Sequence, residues 1–262
     1  LSPADVPILA DPDLAVRRLL EAVEARLKGK KPKWDGKAKS DGYPSLPALS
    51  EKSPEAAITP ADLGLALDAA RSDRAVSLGR VPLGWVPESY HVRGPLDYLG
   101  TDGGAGVGSG PGNAIGSALA LMGSGRIAVS VVGDGDFHQG VMALWTAAHY
   151  KIPVLLIVCN NRSNLNDEII QEKIALERGR PVENRWIGQR IDDPAIDVAA
   201  LARAQGVGAE GPVASIGELP GALERAFAVV AAGQPCVVDM VVDQQASAST
   251  FSEGDGEETE GS

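Results

Sequence analysis

Apolar runs separated by helical patterns predict that this chain is built from alternating strands and helices. Residues 127 to 132 are mostly apolar and β-branched, which is typical of a buried parallel strand. A helical pattern follows to about residue 150, and residues 154 to 159 form a second apolar run. Strand, helix and strand within about 30 residues make one βαβ unit, the basic repeat of a parallel sheet.

Weaker patterns on both sides of this unit predict further elements. Thr59 and Pro60 are typical of a helix start, so we expect a helix from there to about Ala70 and the first strand at 74–78. Further helices are expected at 113–121, 164–178, 197–206 and 216–232, and a last strand at 236–242. This order predicts an α/β fold with three layers, in which a parallel sheet carries helices on both faces.

The N-terminal part of the chain predicts the end of another unit. A strand end at residues 6–11 and an amphipathic helix from Asp13 to Leu27 cannot bury a core alone. We therefore expect residues 1–27 to be the tail of a preceding domain. Residues 28–54 are rich in Lys, Gly, Pro and Ser and predict a linker, which leads to the α/β domain at residues 55–243.

Composition and charge exclude several classes of function. The formal net charge of −11 opposes binding to nucleic acid or to an anionic membrane surface. Part of that charge lies in residues 244–262, a Ser-, Gly- and Glu-rich tail that we expect to be disordered, a lid being the alternative. No apolar run is long enough to span a membrane, and no signal peptide is recognisable. Cys159 and Cys236 lie in strand-like runs and predict reduced, buried thiols in a cytoplasmic protein.

Polar side chains follow both strands of the βαβ unit. Asp134 lies two positions beyond the first apolar run and Asn161 two positions beyond the second. Because a right-handed crossover brings both strand ends to one edge of the sheet, these side chains are expected side by side. A carboxylate, an amide oxygen and a nearby backbone carbonyl are suited to Mg²⁺, which keeps other positions for water and phosphate. The alternative is that two turns merely end the two strands.

Gly133-Asp134-Gly135 followed by the Asn160-Asn161 pair resembles the cofactor signature of thiamine diphosphate-dependent enzymes. The resemblance is to the superfamily of acetolactate synthase and benzoylformate decarboxylase. It implies that Asp134 and Asn161 bind Mg²⁺ through their side chains and Ser163 through its backbone carbonyl. It also implies that the cofactor diphosphate lies beside these residues.

The residues around the first motif are expected to contact the diphosphate. The resemblance assigns this role to Gly133, Gly135, Asp136 and Phe137, where the amide end of a helix favours phosphate. The family often has Ser or Ala at the position of Asp136. Because a second carboxylate beside a diphosphate is repulsive, we expect the main chain of Asp136 to make the contact and its side chain to turn away.

A second glycine-rich segment, Asp102 to Gly116, matches neither the dinucleotide-binding nor the P-loop pattern. It resembles the loop that runs along the aminopyrimidine ring in the thiamine diphosphate family. By this alignment Ala105, Gly106 and Val107 contact the cofactor, with the carbonyl of Ala105 as acceptor and Val107 as the aliphatic prop. The alternative is a loop that simply packs tightly at the start of a helix.

Four further residues are candidates for contact with a substrate. His138 lies just beyond the expected diphosphate position, and Arg178, Arg180 or Arg185 could bind a substrate carboxylate. For each, the alternative is an ordinary surface residue. His138 and His149 are too far apart along a helix to share a zinc ion.

The resemblance implies cleavage or formation of a carbon–carbon bond next to a carbonyl, on 2-oxo acids or aldehydes. Alternatives are a 2-hydroxyacyl-CoA lyase and a non-catalytic thiamine diphosphate-binding subunit. In the family the activating glutamate belongs to an N-terminal pyrimidine-binding domain, which this chain does not contain. We therefore expect the chain to be inactive alone. Its expected partner is that domain, from the same protein or a second subunit, in a homodimer or homotetramer.

Overall fold

The computed structural model describes residues 6–30, 46–100 and 106–244 of the chain. Two compact units are present, residues 1–44 and residues 45–262. Much of the predicted linker and nearly all of the acidic tail lie outside the described residues. The division into a preceding domain, a linker, an α/β domain and a tail therefore stays a prediction.

The described part of the first unit is a single helix, α1 (Pro12–Leu27). Asp11 caps this helix, because its side chain accepts the backbone N–H groups of Asp13 and Leu14 at 2.9 and 3.2 Å. The strand end predicted at residues 6–11 is wrong, since this segment contains no strand. A strand needs a neighbour to satisfy its backbone groups, and the described part of this unit offers none.

A five-stranded sheet forms the centre of the second unit, with the strand order β1-β2-β3-β5-β4. Its strands are β1 (Val76–Leu78), β2 (Ile127–Gly133), β3 (Val154–Asn160), β4 (Gly208–Val213) and β5 (Cys236–Val241). Every neighbouring pair is parallel. The predicted α/β fold is confirmed, and the ends of β2 and β3 lie at the same edge of the sheet.

Seven α-helices accompany this sheet in the described part of the second unit. They are α2 (Pro60–Arg71), α3 (Gly110–Leu121), α4 (Asp134–Gly140), α5 (Ala143–Tyr150), α6 (Leu165–Glu177), α7 (Val198–Ala204) and α8 (Leu219–Ala231). Short 3₁₀ turns occur at Leu49–Glu51, Pro87–Ser89 and Ile216–Glu218.

Both faces of the sheet are buried. Along β3, Leu155 and Ile157 belong to a core that includes side chains of α2 and α8. Leu156 and Val158 belong to a second core, which includes side chains of α3, α4, α5 and α7. Successive strand side chains point to opposite faces, so a continuous apolar run is what a strand between two layers requires.

The single helix predicted after Gly135 is in fact two helices. α4 ends at Gly140 and α5 begins at Ala143. At Gly140 the chain meets the glycine-rich loop, and a Cβ atom there would lie 2.3 Å from the backbone oxygen of Gly108. The helix is interrupted just after the residue where this close approach requires glycine.

The sequence patterns did not predict β4, the edge strand. It contains Gly211 and Pro212, and its pairing with β5 shifts register between Glu210 and Val213. Glycine and proline are uncommon inside strands except at edges and irregularities, so this segment lacks a strand-like pattern. The helix predicted at 216–232 begins instead with a 3₁₀ turn.

Thr59 should contribute to stability through the capping box of α2. Its hydroxyl accepts the N–H of Asp62 at 3.2 Å, and the Asp62 carboxylate accepts the N–H of Thr59 at 3.0 Å. We expect Thr59→Ala to lower the free energy of unfolding by about 1 kcal/mol, measured by urea denaturation. Thr59→Ser keeps the hydroxyl and should lose much less; equal losses in the two variants would contradict this role.

Candidate cofactor and metal site

A cavity of about 260 Å³ lies at the carboxyl ends of β2 and β3. The segment after β1, the end of β2, the loop after β3 and the first turn of α6 surround it. Its described lining residues are Arg80, Val81, Pro82, Leu83, Val107, Gly133, Asp134, Gly135, Asp136, Cys159, Asn161, Ser163, Asn164, Leu165, Asn166 and Asp167. The lining is therefore rich in carboxylate and amide oxygens on one side and apolar on another.

Asp134 is a buried carboxylate in the wall of this cavity. It begins α4 and is only 2% exposed. Its Oδ2 atom is buried and has no hydrogen-bond partner. Burial raises the pKa of Asp134 to about 6, although backbone amides from its own turn and from Arg162 and Ser163 oppose the shift. A buried carboxylate oxygen without a partner is unfavourable, and a cation in the cavity would supply what it lacks.

The loop after β3, residues 160–163, brings the second set of oxygen atoms to the cavity. Asn161 and Ser163 line it together with Asp134. The Asn161 side-chain oxygen accepts the N–H of Ser163 at 3.0 Å, which fixes its direction and leaves a second lone pair. The three predicted magnesium ligands thus share one cavity, and their donor set suits a hard cation.

The two adjacent asparagines make different contacts. Asn160 is buried, and its amide donates to Oδ1 of Asp239 on β5 at 2.9 Å. Its side-chain oxygen accepts the N–H of Arg162 at 3.2 Å, where the backbone is left-handed with φ of 59°. Asn160 therefore anchors the turn to the sheet, whereas Asn161 faces the cavity.

Asp136 connects the end of β2 to the glycine-rich loop. Its Oδ1 atom accepts the N–H groups of Gly108 and Gly110 at 2.7 and 3.0 Å. Its Oδ2 atom lies 3.0 Å from Nε of Arg80, whose Nη1 also donates to the Ser109 hydroxyl at 2.8 Å. The side chain that was expected to turn away thus has definite partners, and the arginine offsets its negative charge.

Arg80 is a site residue that sequence reasoning missed. No residue in the segment after β1 was selected from the sequence. A basic residue two positions beyond a strand end, at the same edge as two acids, was the available signal. The first turn of α6 lines the cavity as well, and Asn164 and Asp167 follow the second motif closely; the resemblance to the family had implied that this helix forms a wall of the site.

The other predicted contact residues fall into three groups. Gly133, Gly135 and Val107 line the cavity, and the Val107 side chain is about half exposed. Phe137 is fully buried in the core and does not line the cavity. Gly106 is exposed and outside the lining, and Ala105 lies outside the described residues.

The candidate substrate-binding residues do not line this cavity. His138 is half-buried beside Phe137, and burial lowers its pKa. Arg178 and Arg180 are exposed, and Arg185 pairs with Glu172 at 3.4 Å. Their roles toward a substrate stay predictions.

Within the described residues, no group of three or more His, Cys, Asp or Glu side chains could hold a metal ion. His149 stacks on Trp145 with ring centroids 4.7 Å apart. None of the described helices is both long and apolar enough to cross a membrane.

A parallel sheet with an oxygen-rich cavity at its strand ends defines a cofactor-binding α/β domain. Within that class, residues 79–240 match the family described as thiamine pyrophosphate enzyme, C-terminal TPP binding domain. This match covers more than half of the chain, which therefore belongs to that family. Thiamine pyrophosphate is the cofactor also called thiamine diphosphate, so the resemblance seen in the two motifs is confirmed.

Similar proteins include decarboxylases that act on 2-oxo acids. A benzoylformate decarboxylase of Pseudomonas aeruginosa is 29% identical over 161 residues, which span 58% of this chain and 26% of that protein. The structure of a thiamine diphosphate-dependent 4-hydroxybenzoylformate decarboxylase from Rhodococcus jostii RHA1 matches with a TM-score of 0.58 and 25% identity. That match covers 82% of this chain and 36% of the other.

A second structure supports the fold alone. Benzoylformate decarboxylase from Polynucleobacter necessarius matches with a TM-score of 0.59 and 22% identity, over 78% of this chain and 37% of that chain. The chain thus spans about a quarter to a third of the length of these relatives.

Asp136 should be required for the local structure of the glycine-rich loop. Asp136→Ala leaves the buried N–H of Gly110 and the partly buried N–H of Gly108 without this acceptor, and it removes the carboxylate that lies beside Arg80. We expect the free energy of unfolding to fall by about 3 kcal/mol in urea denaturation. Asp136→Asn keeps an oxygen acceptor and should lose less; an alanine variant as stable as the unaltered chain would contradict the assigned contacts.

Proposed function

We propose that this chain binds Mg²⁺ and thiamine diphosphate together and supplies the metal and diphosphate half of an active site. The observation that carries the proposal is the buried Asp134 carboxylate, which has one unpartnered oxygen and belongs to a residue that lines a cavity together with Asn161 and Ser163. The family of the chain supplies the identity of the cofactor.

In this proposal the metal has three ligands from the protein. The side chains of Asp134 and Asn161 and the backbone carbonyl of Ser163 hold it, and the remaining positions are left for diphosphate oxygens and water. A cation held by these residues would compensate the negative charge of the buried Asp134 carboxylate. The main chain of residues 133 to 137 would contact the diphosphate, and Val107 would support the rings.

We propose that the complete site cleaves or forms a carbon–carbon bond next to a carbonyl. When bound, thiamine diphosphate supplies a carbon nucleophile and an electron sink for this chemistry. The residues of this chain hold the diphosphate end, orient the cofactor and limit the access of water. In this proposal the acid–base step belongs to the activating glutamate of the pyrimidine-binding domain, as the resemblance to the family implies.

A 2-oxo acid is the substrate class that we favour. Val81, Pro82, Leu83 and Leu165 form an apolar part of the cavity wall that suits a hydrophobic substituent. The named relatives are decarboxylases of benzoylformate and 4-hydroxybenzoylformate. Decarboxylation is therefore the reaction proposed first, and carboligation of the acetolactate synthase type the second.

Two alternatives are less well supported. A 2-hydroxyacyl-CoA lyase needs basic residues for a nucleotide, and the one arginine in the described lining, Arg80, is paired with Asp136. A non-catalytic thiamine diphosphate-binding subunit is the other alternative. The proposed metal ligands Asp134, Asn161 and Ser163 favour retained cofactor binding in either case.

The proposed partner is a pyrimidine-binding domain, from the same protein or from a second subunit. The residues assigned here hold mainly the diphosphate end of the cofactor, so a second surface would have to cover its rings. A homodimer or homotetramer in the cytoplasm would meet this need, with each cofactor at a subunit boundary.

Replacing Asp134 tests the metal assignment. Asp134→Ala should weaken thiamine diphosphate binding in the presence of Mg²⁺ by at least about 100-fold in calorimetry, because the metal loses its charged ligand. The metal-free variant should remain folded, since the substitution removes a buried carboxylate with an unpartnered oxygen. The exposed Asp73→Ala serves as control, and unchanged affinity in Asp134→Ala would refute the assignment.

The chain by itself should not activate the cofactor. We expect deuterium exchange at the reactive carbon of thiamine diphosphate, followed by NMR, to run near the rate of the free cofactor with Mg²⁺. The reason is that the activating glutamate is proposed to lie on another domain. A large acceleration by this chain alone would mean that the acid–base partner lies within it.

A further inference from the structure

An ion pair between a buried glutamate and an arginine that is about one third exposed lies next to the loop that carries two of the proposed metal ligands. Glu168, on the first turns of α6, is only 2% exposed. Its Oε1 atom lies 3.0 Å from Nε of Arg190, and its Oε2 atom lies 3.5 Å from Nη2. The same carboxylate accepts a hydrogen bond from the hydroxyl of Ser163. The pair is therefore connected directly to a proposed ligand residue.

Backbone hydrogen bonds join the same two segments. The N–H of Asn164 donates to the carbonyl of Gln189 at 3.0 Å, and the N–H of Ile191 donates to the carbonyl of Arg162 at 2.9 Å. Ser163 and Arg190 form an antiparallel bridge between these bonds. The segment around Arg190 thus runs alongside the metal-binding loop and is fixed to it by backbone as well as side-chain contacts.

Neither member of the pair lines the cavity. Glu168 and Arg190 are absent from its described lining, whereas Ser163 and Asn161 are part of it. Between these two, Arg162 adopts a left-handed backbone with φ of 59°. A non-glycine residue in this conformation persists only when its surroundings hold it there. Contacts from Asn160 hold one end of the turn, and contacts from Glu168 and Arg190 hold the other.

We infer that Glu168 and Arg190 are positioning residues, which set the direction of the Ser163 carbonyl and keep the metal-binding loop ready for the ion. The inference rests on the proposed function for the metal, but the ordering of the loop can be measured without it. Residues that orient metal ligands from outside the cavity commonly change metal affinity about 10- to 100-fold when they are replaced.

A neighbouring ion pair provides a matched control. Arg185 pairs with Glu172 at 3.4 Å, and both side chains are more than one third exposed. This pair also joins α6 to the segment that follows it. Neither residue lines the cavity, and the Arg185 side chain donates a hydrogen bond to Glu172 rather than to the metal-binding loop. Loss of the Arg185 pair should therefore leave the loop and its metal affinity unchanged.

The first measurement uses the full chain without metal or cofactor. In hydrogen exchange followed by NMR, Arg190→Gln should accelerate exchange of the amides of residues 162 to 164 at least about tenfold, whereas Arg185→Gln should not. Arg190→Lys keeps the positive charge but loses the planar two-point contact. Arg190→Lys should therefore accelerate amide exchange less than Arg190→Gln does, and it can replace that variant if Arg190→Gln does not fold.

The second measurement is the affinity for manganese, used as a magnetic probe, in the presence of thiamine diphosphate. We expect each variant to weaken binding about tenfold, because Arg190→Gln breaks the ion pair and Ser163→Ala removes the hydroxyl that connects Glu168 to the loop, while the Ser163 carbonyl remains. The electron paramagnetic resonance spectrum of the bound ion should also change. The double variant should be no weaker than the weaker single variant, since the two changes break one chain of contacts.

The outcomes of these measurements distinguish a failure of the positioning role from a failure of the proposed function. Unchanged loop exchange in the Arg190 variants, unchanged manganese affinity, or fully additive losses in the double variant would each overturn the positioning role. If the unaltered chain binds no manganese with thiamine diphosphate, the proposed function fails, and loop exchange in the metal-free chain then decides whether the ion pair orders the loop.

Discussion

The site depends on a carboxylate that is buried before any ligand is present. Asp134 lies where β2 passes into α4, with one oxygen atom lacking a hydrogen-bond partner. Such an arrangement costs free energy in the chain alone and becomes favourable when a cation enters. The parallel pairing of β2 with β3 creates this condition, because it brings the loop with Asn161 and Ser163 to the same edge. Burial of the Asp134 carboxylate therefore lowers the stability of the chain alone but favours the binding of a cation.

Much of the fold and of the proposed metal site was predictable from local sequence. The apolar runs of β2 and β3 predict where each strand ends at the edge of the sheet. Asp134 and Asn161 lie close to these strand ends in sequence, so their position at that edge could be predicted. Arg80 and Arg190 were not found, because their carboxylate partners are distant in sequence and no periodicity indicates which arginine meets which acid. The edge strand β4 was missed because Gly211 and Pro212 disrupt the pattern of a strand.

The two loops around the cavity are held in different ways. Asp136 and Arg80 fix the glycine-rich loop through a carboxylate that receives backbone N–H groups. The loop after β3 is fixed to β5 through Asn160 and to the segment after α6 through Glu168. The cavity thus has walls that are ordered in the chain itself, as a binding site with low reorganisation cost requires.

The contact between Asp136 and the glycine-rich loop also has a consequence for how the sequence can change. A Cβ atom at Gly110 would lie 2.2 Å from the Asp136 carboxylate, so no larger residue fits there while the aspartate remains. Exchanging Asp136 for a small residue leaves Arg80 without this charge partner and removes the acceptor of two amides. Gly110, Asp136 and Arg80 therefore depend on one another. Related chains should change the three residues together, and a chain that receives only one of them from a homologue should fold poorly.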